Sequence, residues 1–405
     1  MKHILRIFCV LLLTHFITNA HAVEITVWED TQVPKSVKKA AEDFYKLTGT
    51  KVKFETGNYI YSLEKLRLDG PAGEGPDIVL IPNDQIGQAV KEGMIVPVDF
   101  EDDEEIQYLP LAKAAALYKD VYYFIPRTIE TLAVFYNKDY IDTPYKTLDD
   151  WIKYDLRRQK QNRYGFVAKF DDLYFLHGVI ESYGGYIFYK GESGIYNTNK
   201  IGLNNAETKE AIRNIKRFYD LNLIPSATMG TGAVNNILDL FMKNRVTAII
   251  AGSWNIPLLI KRKINFGIAQ LPVLSNGMHM SSFIGVRGYA ISQWTEHYDE
   301  ALKFAKFLNK DKYLFERYKE TKELPTTLST LKSTTIKNDH YARPFIEQIR
   351  FGYLMPQSPE ISYIWPIYAN RLYHIFSGSE SVDYGLSLAE KEYKKQLRQR
   401  PVKKY

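Results

Sequence analysis

A short apolar run, IVLI at positions 78–81, constrains the fold more than any other part of this 405-residue sequence. It stands between the turn-forming letters GEGPD and the polar letters PND. A continuous apolar run of this length, bounded by turn signals, is typical of a strand that is buried on both faces. Such strands belong to parallel sheets covered by helices, so the sequence predicts an α/β fold with Asp84 directly after a buried strand.

The segments before this run alternate between strand and helix patterns. VEITVWED, from Val23, and KVKFET, at positions 51–56, have the character of strands. Between them, a helix is predicted to begin after Pro34 and to end at Gly49, and a second helix is predicted near positions 63–68. Strand, helix, strand, helix and strand in this order predict a parallel α/β layer.

A second series of strands and helices follows the extended segment at positions 124–141. It opens on Thr147 and Asp150, which form a capping-box pattern at a helix start. Further elements are predicted at 163–170, 173–181, 206–222, 247–252, 283–292, 299–308 and 359–397, the last with a break at Gly378. A chain of this length usually exceeds a single core, so we expect two lobes. Extended crossings, rather than one flexible linker, are expected to join them and would suit a hinge.

The first 22 residues have the pattern of a secretory signal. Lys2 and Arg6 precede an apolar run, and small residues at Ala20 and Ala22 predict cleavage after Ala22. The single cysteine, Cys9, lies inside this segment, so the exported chain is expected to lack disulfides, thiolate metal sites and cysteine nucleophiles. Loss of the signal lowers the formal charge from +6 to about +4. The basic cluster at positions 394–404 is interpreted as a solvated tail, not as a nucleic-acid site.

Common catalytic and cofactor motifs are absent from the sequence. It contains no G-x-G-x-x-G after a strand, no G-x-x-x-x-G-K-[ST], no H-E-x-x-H and no G-x-S-x-G. Eight scattered histidines do not indicate a zinc site. We therefore expect no metal and no cofactor, and the sequence gives little support for an enzyme.

Acidic and aromatic residues stand where predicted strands end. They are Glu29 with Asp30, Asp84, Glu130, Asp172 with Tyr174, Trp254 and Trp365. In open α/β sheets, ligands bind at the carboxyl ends of strands. Carboxylates there can accept hydrogen bonds from hydroxyl groups, and aromatic faces can cover the C–H faces of a sugar ring. The chain contains 30 Tyr, 21 Phe and 5 Trp, which suits either a stacking-lined cleft or a tyrosine-rich core.

Each candidate also has a purely structural interpretation. Asp84 could cap the following turn, and Glu130 could be an outward-facing strand residue. Trp254 suits a core position as well as a cleft, and Trp365 could pack at a helix start before Pro366. The tyrosine pairs at positions 59 and 61 and at 122 and 123 are interpreted as sheet and surface packing.

Five segments, GPDIVLIPNDQIG, ETLAVFYNKDYI, KTLDDW, AGSW and LMPQSPEISYIWPI, occur in this order. Through them the chain resembles the maltose/maltodextrin-binding periplasmic proteins of bacterial ABC import, within the family 1 extracellular solute-binding proteins. The resemblance extends from about Val23 to the C-terminus. It implies a two-lobe fold with a hinge of several crossings and a ligand cleft between the lobes. The implied lobes are 23–128 with 289–330 and 131–284 with 333–400, and the implied hinge segments are 127–132, 284–288 and 328–332.

The resemblance also implies a function and a set of ligand contacts. The implied protein is a monomeric, periplasmic, non-catalytic receptor that closes on an oligosaccharide and delivers it to a membrane permease. The implied contacts are Asp30, Glu64, Asp84, Glu130, Asp172, Tyr174, Trp254 and Trp365. Three positions depart from the family pattern: Ile81 replaces a Trp, Gln85 an Arg and Pro366 an aromatic residue. Because these residues cannot supply the same stacking and bidentate contacts, another oligosaccharide or a shifted register is plausible.

Two other functions remain open on the sequence. Acidic and aromatic side chains also suit a polyamine, through charge pairing and cation–π contact. A secreted glycoside hydrolase could use two of Asp84, Glu130 and Asp172 as its carboxyl pair.

Overall fold

The computed structural model describes residues 22–100, 106–159, 163–191 and 195–399. Residues 1–21 of the predicted signal segment and the end of the basic cluster, at 400–404, lie outside the described residues. The strands are β1 (Glu24–Glu29), β2 (Lys51–Thr56), β3 (Ile78–Pro82), β4 (Ile95–Val96), β5 (Leu117–Tyr118), β6 (Val121–Tyr122), β7 (Ile125–Glu130), β8 (Leu132–Asn137), β9 (Tyr164–Val167), β10 (Phe188–Lys190), β11 (Tyr196–Ile201), β12 (Val246–Gly252), β13 (Phe266–Ala269), β14 (Phe283–Ser292), β15 (Leu324–Pro325) and β16 (Tyr353–Leu354).

Helices cover both sheets. They are α1 (Lys35–Thr48), α2 (Ser62–Asp69), α3 (Ile86–Lys91), α4 (Pro110–Ala116), α5 (Leu148–Gln159), α6 (Leu173–Ser182), α7 (Ala206–Asp220), α8 (Ala233–Met242), α9 (Ile256–Lys261), α10 (Tyr298–Phe307), α11 (Asp311–Thr321), α12 (Leu328–Lys332), α13 (Thr334–Lys337), α14 (Arg343–Gln348), α15 (Ile361–Phe376) and α16 (Val382–Arg398). None of the helices in the described ranges has the length and apolar character needed to cross a membrane.

The first sheet has the order β15-β7-β14-β3-β1-β2, and β4 and β16 also pair with β14. Strand β1 pairs in parallel with β2 and β3, whereas β14 runs antiparallel to β3 and β7. The four apolar residues of β3 are fully buried, which confirms the prediction from their sequence. Helix α1 begins after Pro34 and ends before Gly49, whose φ of 78° is left-handed, as a glycine C-cap requires.

The second sheet has the order β13-β8-β12-β9. Its strand β12 runs parallel to β9 and antiparallel to β8, and it is buried along its whole length. One bond of the predicted capping box is present, because Thr147 Oγ1 accepts a hydrogen bond from Asp150 N at 3.1 Å. The Asp150 carboxylate accepts from the Thr147 hydroxyl at 2.7 Å instead of from its backbone N–H. Two small hairpins, β5-β6 and β10-β11, stand apart from these sheets.

The chain passes between the two sheets at Thr131, since β7 ends at Glu130 in the first sheet and β8 begins at Leu132 in the second. A second passage enters β14 at Phe283. The hydroxyl of Thr131 ties the two passages together, through Ser282 Oγ at 2.7 Å and the Phe283 carbonyl at 2.9 Å. A third passage follows β15 and reaches the second sheet at α14, which packs on β8.

The helical tail consists of α15 and α16, separated at Gly378. Helix α15 begins at Ile361, within the predicted helical range, and Trp365 lies in its second turn, directly before Pro366. Proline removes one backbone donor and therefore one helical hydrogen bond. The apolar face that includes Ile361, Ile364 and Ile367 is buried, and this packing carries the helix through the proline.

Candidate ligand-binding site

Asp84 and Trp365 come from the two halves of the fold and meet. Asp84 lies in the turn that follows β3, and Trp365 lies on α15, which packs against α6. The indole Nε1 of Trp365 donates a hydrogen bond to Asp84 Oδ2 at 3.1 Å. Their contact joins the loop after β3 of the first sheet to a helix of the second half of the fold.

The turn carrying Asp84 is held by Asn83. The buried Asn83 side chain donates to the Met355 carbonyl at 3.1 Å and accepts from Val286 N at 3.0 Å. Helix α3 begins after Gln85 without a side-chain cap, so Asp84 does not serve as its cap. Burial raises the pKa of the Asp84 carboxyl to about 6, against the opposing effect of the Trp365 hydrogen bond. This carboxyl is therefore poorly solvated.

Arg287, on β14, gathers two further predicted residues. Its Nη1 donates to Asp30 Oδ2 at 3.0 Å, and its Nη2 pairs with Glu130 Oε1. Glu130 is buried, so its interpretation as an outward-facing strand residue is wrong. Burial raises the pKa of Glu130, and the guanidinium of Arg287 opposes that shift. Sequence reasoning missed Arg287, although a single charged residue in the apolar strand FIGVRGYAIS was a signal.

Tyr59 lies next to Arg287. The guanidinium carbon of Arg287 is 4.8 Å from the centroid of the Tyr59 ring, in cation–π geometry. Tyr59 belongs to a 3-10 turn, Tyr59–Tyr61, that packs on β3 of the first sheet, and its contact with Arg287 was not predicted. Burial raises the pKa of the Tyr59 phenol, and the charge of Glu130 adds to the shift. The sequence carried no signal for this position, because the turn brings Tyr59 to a strand more than two hundred residues later.

Asp172 and Tyr174 stand at the start of α6. Asp172 caps this helix, with its Oδ1 accepting from Tyr174 N at 2.9 Å, and burial raises the pKa of its carboxyl. The Tyr174 ring stacks on Phe283, with centroids 6.1 Å apart and 25° between the planes. Burial raises the pKa of the Tyr174 phenol, and the charge of Glu130 is the next contribution. Tyr174, at the start of a helix of the second half, therefore lies within electrostatic range of Glu130 in the first sheet.

Trp254 follows β12 in the turn Ser253–Asn255 and is 37% exposed. Its indole lies against Gly252, where a Cβ atom would be only 2.0 Å from the ring. A glycine is therefore required beneath the ring. In contrast, Trp151 is fully buried in the core of the second sheet. Trp254 thus has the exposure expected of a stacking surface.

Glu64 is not part of this group. It is exposed on α2, and none of the other described residues forms a hydrogen bond or an ion pair with it. Within the described residues, no three His, Cys, Asp or Glu side chains are placed to share a metal ion.

A family model described as bacterial extracellular solute-binding protein matches residues 39–343. The chain belongs to this family. The predicted resemblance and the two-lobe α/β fold are confirmed. A galactooligosaccharide-binding protein of Bacillus subtilis strain 168 is 36% identical to this solute-binding protein over 384 residues, covering 94% of this chain and 91% of the relative. A maltodextrin-binding protein of the same strain is 27% identical over 390 residues, with coverage of 94% and 91%.

A solved structure shares the architecture of this solute-binding protein. The maltose-binding periplasmic protein of Listeria monocytogenes, crystallised with maltose, aligns with a TM-score of 0.81 and 30% identity, covering 94% of this chain and all of that one. The three departures noted in the sequence have distinct placements. Ile81 is fully buried in β3, and Gln85 Nε2 donates to the Ile60 carbonyl at 2.8 Å. Pro366 lies inside α15. None of the three supplies the stacking or bidentate contact expected from the family pattern.

Proposed function

We propose that this solute-binding protein is the oligosaccharide receptor of an ABC importer and binds sugar in the cleft at Asp84 and Trp365. One observation carries the proposal: acceptor carboxylates and aromatic rings from both halves of the fold converge there. Asp84 and Glu130 belong to the side of the first sheet, whereas Trp365 and Tyr174 belong to the side of the second. Carboxylates select sugar hydroxyls, and rings cover sugar C–H faces. Asp30, Asp172 and Trp254 complete the proposed contacts.

A galactooligosaccharide is the favoured ligand. The relative named for galactooligosaccharides is 36% identical to this chain, whereas the maltodextrin-binding relative from the same organism is 27% identical at equal coverage. Ile81, Gln85 and Pro366 support the same preference, because they remove side chains that the resemblance to maltodextrin binders had led us to expect. A maltodextrin is the second candidate.

The proposed mechanism is closure of two lobes without catalysis. The lobes proposed are 23–128 with 289–330 and 131–284 with 333–400, hinged near the three passages between the sheets. A ligand that contacts both lobes favours the closed state by its differential affinity. Asp84 already accepts a hydrogen bond from an indole, and Asp172 caps a helix, so neither is arranged as a free acid or base. The closed, monomeric receptor would deliver sugar to a membrane permease from the periplasm, after cleavage of the signal at Ala22.

Isothermal titration calorimetry of the purified chain from Val23 tests the proposal. Galactotriose, maltotriose, maltotetraose and spermidine are titrated separately, with thermal unfolding as a second measurement. A bound ligand at about 100 times its Kd stabilises the fold by ~2.7 kcal/mol. We expect galactotriose to bind most tightly and with little dependence on salt.

Three outcomes would contradict parts of this proposal. Tighter binding of maltotriose than of galactotriose would overturn the ligand preference alone. Binding of spermidine that weakens with ionic strength, with no response to any sugar, would overturn the oligosaccharide assignment. Release of shorter sugars from galactotriose, abolished by Glu130→Gln, would show a glycoside hydrolase instead.

A further inference from the structure

Arg287 connects the three passages of the chain between the two halves of the fold. It lies on β14, close to the second passage, and pairs with Glu130, the residue before the first passage. Its Nη2 also donates to Glu323 Oε1 at 2.5 Å, and Glu323 directly precedes β15, from which the third passage departs. Its remaining terminal nitrogen holds Asp30, at the end of β1. The guanidinium therefore contacts three carboxylates. Glu130 lies beside the first passage, Glu323 beside the third, and Asp30 at the edge of the proposed cleft.

The surroundings of Arg287 make its charge necessary. Its exposed fraction is 2%, and it faces Asp30, Glu130, Glu323 and the ring of Tyr59. Two other buried arginines, Arg127 and Arg317, pair with Glu323 at 3.6 and 3.9 Å, and Arg127 also pairs with Glu29. Neither of them has a described contact with Asp30 or Glu130. A buried carboxylate without a partner is costly, so Glu130 depends on Arg287, which also pairs with the partly exposed Asp30.

The geometry at this position requires a guanidinium. Nη1 holds Asp30 while Nη2 holds both Glu130 and Glu323, so two nitrogens fixed in one plane orient three carboxylates. A lysine ammonium is a compact point charge on a flexible stem and lacks this fixed fork. The other carboxylate oxygen of Asp30, Oδ1, accepts a hydrogen bond from Thr31 N at 2.7 Å. Arg287 is therefore the side chain that orients Asp30 and Glu130 together.

We propose that Arg287 is a positioning residue for sugar recognition, which holds Asp30 and Glu130 in a fixed orientation at the cleft. This inference rests on the proposed function, since it assigns these carboxylates to sugar hydroxyls. Without the guanidinium, Glu130 stays buried beside the like charges of Glu323 and Asp30, with Arg127 as the remaining cation. Burial and like charges both favour protonation of a carboxyl group. A protonated Glu130 donates a hydrogen where the sugar hydroxyl needs an acceptor.

The test compares Arg287→Gln with Arg317→Gln. Arg317 is a matched control because it is equally buried, at 2% exposure, and belongs to the same charge cluster. Sugar affinity is measured by calorimetry from pH about 6 to about 9, with the oligosaccharide that binds the unchanged protein most tightly. We expect Arg287→Gln to weaken binding by about tenfold or more and to regain affinity as the pH rises, because Glu130 then loses its proton. We expect Arg317→Gln to lower the thermal midpoint but to retain the affinity and pH profile of the unchanged protein.

Two further variants keep the inference testable if Arg287→Gln does not fold. Arg287→Lys retains the charge without the fork and should give an intermediate loss of affinity. Glu130→Gln with Arg287→Gln removes the group that titrates, so the added pH dependence should disappear. Equal affinities and pH profiles for Arg287→Gln and the unchanged protein would overturn the inference, as would the same loss in Arg317→Gln. If the unchanged protein binds no oligosaccharide, the proposed function itself fails, which is a separate result.

Discussion

Replacing Trp254 with Ala should weaken sugar binding by a magnitude that follows from its exposure. A tryptophan side chain presents about 250 Å² when fully exposed. With 37% exposed, about 90 Å² of the Trp254 indole is open to a ligand. A sugar ring that covers half to all of this area contributes ~1–2 kcal/mol at about 25 cal/mol per Å². We therefore expect Trp254→Ala to raise the Kd by about 5- to 30-fold.

Calorimetry with the tightest-binding oligosaccharide measures this change directly, and thermal unfolding of the free protein checks the fold. Trp294→Ala is the matched control, because Trp294 is half-buried and packs against Gly70 on the side of the first sheet, away from the cleft. We expect Trp294→Ala to lower the thermal midpoint and to leave the Kd unchanged. A Kd for Trp254→Ala within about twofold of the unchanged protein would refute the assignment of this indole as a stacking surface.

Asp84 and Glu64 give two further predictions. Because the pKa of Asp84 is raised to about 6 from its ordinary 3.8, the folded protein binds this proton more tightly than the unfolded chain does. Its contribution to the free energy of unfolding should therefore increase as the pH falls from about 7 to about 4, while sugar affinity decreases below pH about 6 as the acceptor is lost. Asp84→Asn should remove this pH dependence of the free energy of unfolding, which chemical denaturation measures. The same pH dependence in Asp84→Asn and the unchanged protein would contradict the prediction. Glu64→Gln should leave the Kd unchanged in calorimetry, since Glu64 is exposed and has no partner among the described residues; a tenfold loss would return it to the site.

The fold was predictable where local sequence patterns decide it. The run IVLI is apolar on both faces, and the structure buries it between strands β1 and β14. Pro34 and Gly49 bound a helix because proline fixes φ and glycine accepts the left-handed turn that ends it. Helix α15 continues through Pro366 because burial of its apolar face outweighs the hydrogen bond lost there. Burial of this face depends on tertiary packing, so a local sequence pattern does not show it.

The candidate site was predictable in part. Strand ends gave Asp84 and Glu130, because loops at strand ends carry polar side chains towards a cleft. Arg287 and Tyr59 were missed because their role depends on which strands become neighbours. Strand β14 leaves the second half of the chain and enters the first sheet beside β3 and β7. Only this pairing brings Arg287 to Asp30 and Glu130, which no spacing along the sequence indicates.

The hydroxyl of Thr131 ties two of the three passages side by side, and this has a mechanical consequence. Sliding of the paired segments past each other would break these bonds, whereas bending of the pair across its length preserves them. Opening of the cleft is therefore expected to follow a single rotational coordinate. One distance is then sufficient to follow it, for example between fluorophores on cysteines introduced at Leu68, on α2, and Ile260, on α9, which are 73% and 43% exposed. Since Cys9 is the only natural cysteine and precedes the predicted cleavage point, the labels would have no competing thiol in the exported chain.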